Sequence, residues 1–542
     1  MSRPVITNPI LKGFNPDPSI CRAGDDYYIA TSTFEWFPGV QIHHSRDLVH
    51  WDLVCRPLDR PSQLDMRGEM DSCGVWAPCL TYADGMFWLV FSDMKRRDGS
   101  VKDVHNYLVT APSIEGPWSD PIYLNSSGFD PSLFHDDDGR KWIVNVWWDY
   151  RGRPPRFPGD NSFAGIACQE YDVAERKLKG PITNIFKGTD AGLTEGPHLY
   201  RRDGWYYIMV AEGGTGYNHV ATVGRSRALN GPYELHPDTY VVTARGNPNA
   251  PLQRAGHADF VDTPAGETYL VHLTGRPIPG LRRCPLGRET AIQKIEWGAD
   301  GWPRIAGGKL TPKLEVEAPD VPAHPFVPAP EEYRFSADAG LPRDFQWLRT
   351  PYGERLFSLE ERPGFLRLHG REAMGSWYEQ ALVARRQTAF CYDAETEVHA
   401  DPAVHMQMAG LAAYYNRFAY HYLALTFDQE AGTCLQVISC TGTQGGGQTA
   451  IGLAKPVPVP GGVPVRLKVE VRTTTLTFFY AVGSGDWRQV GGVLDASLLS
   501  DECGAGEHSN FTGAFVGMSA NDLSGQGMPA DFSYFRYRDL DA

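Results

Sequence analysis

Positive charge is in short supply in this chain: 51 Lys and Arg stand against 65 Asp and Glu, for a formal net charge of −14 over 542 residues. That balance argues against DNA, RNA or anionic membranes as the main partner and fits a neutral substrate. No run of 18 apolar residues occurs, so no membrane-spanning helix is expected. The opening MSRPVITNPILKGFNPDPSI lacks an apolar h-region and a cleavage pattern, which leads to the expectation of a cytoplasmic protein. The ten cysteines form no CxxC pair and no regular framework, so reduced thiols are the simple reading. GxSxG, HExxH and GxxxxGK[ST] are all missing, which removes the commonest serine-hydrolase, zinc-peptidase and phosphate-loop signatures.

What the chain does have is aromatic side chains, at 12 % with 14 Trp, together with 57 Gly and 41 Pro. These fit a turn-rich β protein, and the aromatics fit stacking on sugar rings as well as β cores. One pattern recurs five times: an anchor, a short apolar stretch, a turn with Gly or Asp, and an aromatic strand. The copies are Asp17 with PSICRAGDDYYIA, Trp76 with APCLTYADGMFWLV, Asp130 with PSLFHDDDGRKWIV, Glu195 with GPHLYRRDGWYYIM and His257 with ADFVDTPAGETYLV. Their anchors lie 54 to 65 residues apart, room for four strands each, and five such units predict a five-bladed β-propeller over roughly residues 5–310. Radial repetition would bring the five anchors around one central site.

Residues 318–330 hold five prolines and predict a stiff extended linker between a propeller at 1–317 and a second domain at 331–542. In the second domain Val465, Leu467, Val469 and Val471 alternate with Arg466, Lys468 and Glu470, a half-buried strand, and long helical periodicity is absent. A β-sandwich is expected there, so the whole chain reads as all-β. The glycine run Thr443–Thr449 lacks the lysine of a phosphate loop and reads as a flexible loop. Asp136, Asp137, Asp138 and Gly139 read as a hairpin turn rather than the start of a calcium loop, and Cys21, Cys73 and Cys79 as buried packing residues.

Cleaving a glycosidic bond takes one acid to protonate the leaving oxygen and one carboxylate to handle water or the anomeric carbon. A third carboxylate nearby keeps the acid protonated by repulsion between like charges. Asp17, Asp130 and Glu195 supply such a trio. Trp76 offers a wall for a sugar face, while His257 could bond a water, bind a metal or fill the channel.

Six stretches in the first half carry a resemblance: NPDPSI at 15–20, GVWAP at 74–78, FDPSLF at 129–134, TEGPH at 194–198, GHAD at 256–259 and GRETAI at 287–292. QWL at 346–348, EQALVAR at 379–385 and NFTGAFVG at 510–517 extend it through the second half. The chain resembles family 43 of the glycoside hydrolases, in particular its two-domain β-xylosidases, and the family fold is a five-bladed propeller. The resemblance implies Asp17 as general base, Glu195 as general acid and Asp130 as the carboxylate that orients the acid and raises its pKa. It implies Arg288 as an arginine reaching sugar and carboxylates, and Phe34, Trp76 and Trp148 as aromatics lining a xylose pocket. Phe511 would sit at the tip of a sandwich loop closing that pocket, which makes the action exo.

His257 matches an axial histidine that in many members holds calcium, directly or through water; no organic cofactor is implied. Homo-dimers or homo-tetramers occur among similar enzymes. Cys79 departs from the histidine that relatives often carry. The implied activity is inverting release of xylose from the non-reducing ends of β-1,4-xylo-oligosaccharides, with carboxyls about 6.5–9.5 Å apart. α-L-Arabinofuranosidase activity, alone or combined with it, is the alternative. A non-catalytic sugar-binding propeller and a retaining fructan-type hydrolase are remoter ones.

Overall fold

The computed structural model describes residues 4–151, 162–441, 449–453, 455–503 and 510–540. The glycine run at 443–448 lies outside them. Among the described residues the helical pieces are three 3₁₀ turns, at Gly353–Arg355, Ala496–Leu498 and Asp501–Cys503; the rest of the regular structure is strand.

Five antiparallel four-stranded sheets follow one another along the first half. Their first strands are Ser19–Ala23, Gly74–Ala83, Ser132–His135, Glu195–Arg202 and Gln253–Asp262, each carrying or directly following a repeat anchor. Every first strand turns back into an aromatic or β-branched second strand through a left-handed glycine, at Gly24, Gly85, Gly139, Gly204 and Gly266. The acidic run at 136–139 forms one of these turns, with the Gly139 N–H donating to the Asp136 carbonyl at 3.0 Å. Val5–Thr7 pairs with Glu315–Glu317 and joins the two ends of the propeller.

Apolar packing lies between the blades. Tyr28, Leu80 and Phe91 fill the first seam, Trp88, Leu133 and Ile143 the second, and Phe134, Ile166 and Ile208 the third. Met209, Leu270 and Ile295 fill the fourth, and Ile20, Ile29 and Tyr269 close the ring. With its apolar surface spent in the seams, the propeller leaves its axis to polar side chains.

Beyond residues 318–330, which contain no strand, two sheets of eight and nine strands face each other across a core that includes Val383, Leu411, Val469 and Phe532. Val465–Arg472 alternates buried and partly exposed residues as its sequence requires. One edge strand of the nine-stranded sheet belongs to the propeller: Trp36–Phe37 pairs with Phe345–Leu348. The Trp36 ring stacks on Phe515 with centroids 3.7 Å apart and planes at 12°.

Beside this strand Arg349, 1 % exposed, donates to Asp71 at 3.0 Å, and Arg417 reaches the other oxygen of Asp71 at 3.1 Å. Gly287 marks a second close approach: with φ at +70°, a Cβ there would stand 2.2 Å from the Thr512 carbonyl oxygen. The linker also touches the first blade, where the His324 N–H donates to Asp47 at 2.7 Å.

Arg349→Ala leaves the buried Asp71 with Arg417 as its remaining ion-pair partner. Losing one charged hydrogen bond to a buried carboxyl is expected to lower the denaturant midpoint by an amount equivalent to about 1–3 kcal/mol. Equilibrium unfolding followed by tryptophan fluorescence checks this, and an unchanged midpoint contradicts it.

Candidate active site

The first strands point alternate residues at the axis, and the topmost of these residues meet in one cavity of about 300 Å³. Asp17, Asp130 and His257 occupy equivalent places with the same left-handed backbone, φ at 54°, 54° and 46°. Gly196 holds that place in the fourth blade, with φ at 55°. Glu195 therefore stands one residue ahead of the equivalent position, and the repeat brings all five anchors together without placing them in one register.

The cavity is lined by the three carboxylates, by Arg288 and His257, and by the aromatic side chains Phe34, Trp76, Trp148 and Phe511. Every residue for which the sequence suggests a catalytic, sugar-binding or metal role thus lines this one cavity. Cys79 does not; it lies below Ala77 on the same strand, with its sulfur 4.0 Å from His198 Nδ1 and its thiol pushed up to about 12 by burial. The departure at this position lies outside the cavity lining.

Arg288 is the hub. Its Nη1 donates to Asp17 Oδ1 at 3.0 Å and its Nη2 to the Phe511 carbonyl at 2.8 Å, while its guanidinium lies 5.2 Å from the Phe34 ring centre. Asp17 also accepts the Ser32 hydroxyl at 2.7 Å. Asp130 accepts the Gly196 N–H at 3.0 Å, so its carboxyl grips the peptide that carries Glu195. One guanidinium serves three carboxyls in a buried space, and the protons distribute accordingly. Burial, then the charges of Glu195 and Asp17, hold Asp130 well above the carboxylate range. Burial, then the Asp17 charge, push Glu195 up to about 8, against the pull of Arg288 and Lys102. The site therefore offers an ion-paired carboxylate at Asp17 and a proton-bearing acid at Glu195.

His257, 4 % exposed, is pushed down to about 4, mainly by burial, and is a neutral imidazole at pH 7. Among the described residues no group of three or more His, Cys, Asp or Glu side chains is gathered for a metal. Calcium takes six to eight oxygen ligands, so these residues do not fit a protein-built calcium cage; the neutral His257 nitrogen could supply at most one contact to an otherwise hydrated ion.

The walls are aromatic. Trp76 lies 6.0 Å from Phe34 and 6.4 Å from Phe511 between ring centres. Trp148 packs against Phe163 at 5.1 Å, and the Lys102 ammonium stands 4.4 Å over its ring centre. Lys102, Phe129, Phe163, Leu193 and Thr215 also line the cavity, and the sequence assigns none of them a role. Phe129 directly precedes Asp130 in the FDPSLF stretch; Lys102 sits on a loop that no repeat or motif marks.

Residues 6–303 match Glycosyl hydrolases family 43, and residues 332–538 match the Beta xylosidase C-terminal Concanavalin A-like domain. The chain is 56 % identical over 536 residues to the xylosidase/arabinosidase 43B of Humicola insolens, covering 99 % of this chain and 98 % of that protein. It is 49 % identical over 543 residues to the beta-xylosidase of Bacillus subtilis (strain 168), covering 98 % and 99 %. The crystal structure of xylan beta-1,4-xylosidase from Bacillus halodurans C-125 superposes with a TM-score of 0.94 at 54 % identity, over 98 % of this chain and 100 % of that one.

Because the Asp17 charge helps to raise Glu195, removing it should lower the Glu195 pKa. In carboxyl-labelled protein, the Glu195 signal is expected to titrate near 8 and to move to lower pH in Asp17→Asn. An unmoved titration would mean that burial alone sets this group.

Proposed function

The chain belongs to family 43 of the glycosyl hydrolases, and we propose that it releases single xylose units from the non-reducing ends of β-1,4-xylo-oligosaccharides with inversion. The observation that carries this reading is the pairing of an ion-paired Asp17 carboxylate with a Glu195 acid held protonated to about 8, in one aromatic-walled cavity. The names of the relatives from Bacillus subtilis and Bacillus halodurans point to the same sugar.

In this mechanism Asp17 takes a proton from a water as its oxygen bonds to C1. The bond from C1 to the glycosidic oxygen breaks, and Glu195 gives its proton to that oxygen. Asp130 keeps Glu195 in place through the Gly196 N–H, while burial and the Asp17 charge keep Glu195 an acid. Arg288 fixes the base and, through Phe511, the closed end of the pocket. That closure supports exo action, since a chain can enter only by its end.

A second reading, arabinofuranosidase activity beside xylosidase activity, is favoured by the name of the Humicola insolens relative. Calcium enters the proposal only as a largely hydrated ion that His257 would help to hold. Assembly as a dimer or tetramer belongs to the proposal as well, on the strength of the resemblance.

Proton NMR of fresh enzyme on xylobiose is expected to show α-xylose before mutarotation. β-Xylose first would turn Asp17 into a nucleophile, and no xylose would move the weight to arabinosides or to a binding-only propeller. Chelation by EDTA followed by calcium is expected to restore a lowered rate; a rate unchanged by the chelator removes calcium from the proposal.

A further inference from the structure

Three of the aromatic walls converge on one residue that does not itself line the cavity. Ser72 is fully buried, with its backbone in the left-handed region at φ 60°. Its carbonyl accepts the Trp76 indole N–H at 3.0 Å. Its hydroxyl oxygen accepts the Phe511 N–H at 3.1 Å, across 439 residues of chain and from the other domain. Its own N–H donates at 3.1 Å to Glu35, a carboxyl 1 % exposed that directly follows Phe34.

The neighbouring residue, Asp71, is pinned by Arg349 and Arg417, both from the sandwich. The loop that presents Ser72 is therefore held from both domains, and each of its three polar groups leads to a different wall: Phe34, Trp76 or Phe511.

We propose that Ser72 is a positioning residue that sets where the Phe511 wall stands against the Trp76 wall, and thereby how tightly the pocket grips a sugar. Serine is chosen against the backbone's interest. A β-carbon in this conformation is disfavoured, and glycine would relax it, but only a hydroxyl gives the Phe511 N–H an acceptor. The walls touch a sugar equally before and during bond cleavage, so loosening them should weaken binding without slowing the chemical step.

The inference rests on the reading of the cavity as a xylose pocket, and the experiment separates the two. Ser72→Ala and Ser72→Gly are assayed on nitrophenyl β-xyloside beside the wild type, whose turnover tests the reading itself. Losing one hydrogen bond predicts KM raised roughly five- to tenfold in both variants, with kcat nearly unchanged. Ser72→Gly should keep the wild-type Tm, because it relieves the backbone that alanine leaves strained. In a Phe511→Ala background, Ser72→Ala should raise KM no further.

Crystal structures of both variants read the geometry without substrate: the Phe511 and Trp76 rings should depart from 6.4 Å and 62°. Unchanged rings and KM in both variants overturn the proposal. So does a KM defect that persists without the Phe511 ring, or one that glycine cures.

Discussion

One guanidinium answers for three buried carboxyls, and most of this site follows from that imbalance. Arg288 can pair with one of them and pairs with Asp17. Among the described residues Asp130 and Glu195 have no cation of their own within hydrogen-bond reach, and burial among like charges favours their protonated forms. A base and an acid are thereby created from chemically similar groups by placement alone. The second Arg288 nitrogen holds the backbone of Phe511, so the group that sorts the charges also holds one of the cavity's aromatic walls.

The propeller makes that arrangement possible by where it puts its apolar surface. Five seams between blades absorb it, and the axis is left to residues a soluble core would reject. Left-handed backbone at Asp17, Asp130 and His257 is the local expression of this: three first strands bend at the same point and turn a polar side chain into the cavity.

Much of this is legible in the sequence because it repeats. The five turns, the anchors and the two halves declare themselves through period and composition, and the carboxylate trio follows from the anchors. The register does not. Glu195 looks like the equivalent of Asp17, yet Gly196 takes the equivalent place, because the motif is conformational and glycine satisfies it without resembling aspartate. Lys102 and Phe163 come from outside the repeat and leave no periodic trace. The ties between the domains are hidden for a further reason: Asp71 meets Arg349 and Arg417 across 278 and 346 residues of chain, and no pattern of local spacing encodes such a meeting.

The strand Trp36–Phe37 lies within the first sixth of the chain and completes a sheet built from the second half. A gene divided at the proline-rich segment would separate that strand from its partner, leaving Phe345–Leu348 as an open sheet edge and Trp36 without Phe515 beneath it. The two halves are thus poor candidates for exchange by recombination. A lineage that acquired this interlock would be expected to transmit both halves together, and change in either would be constrained by the surface of the other.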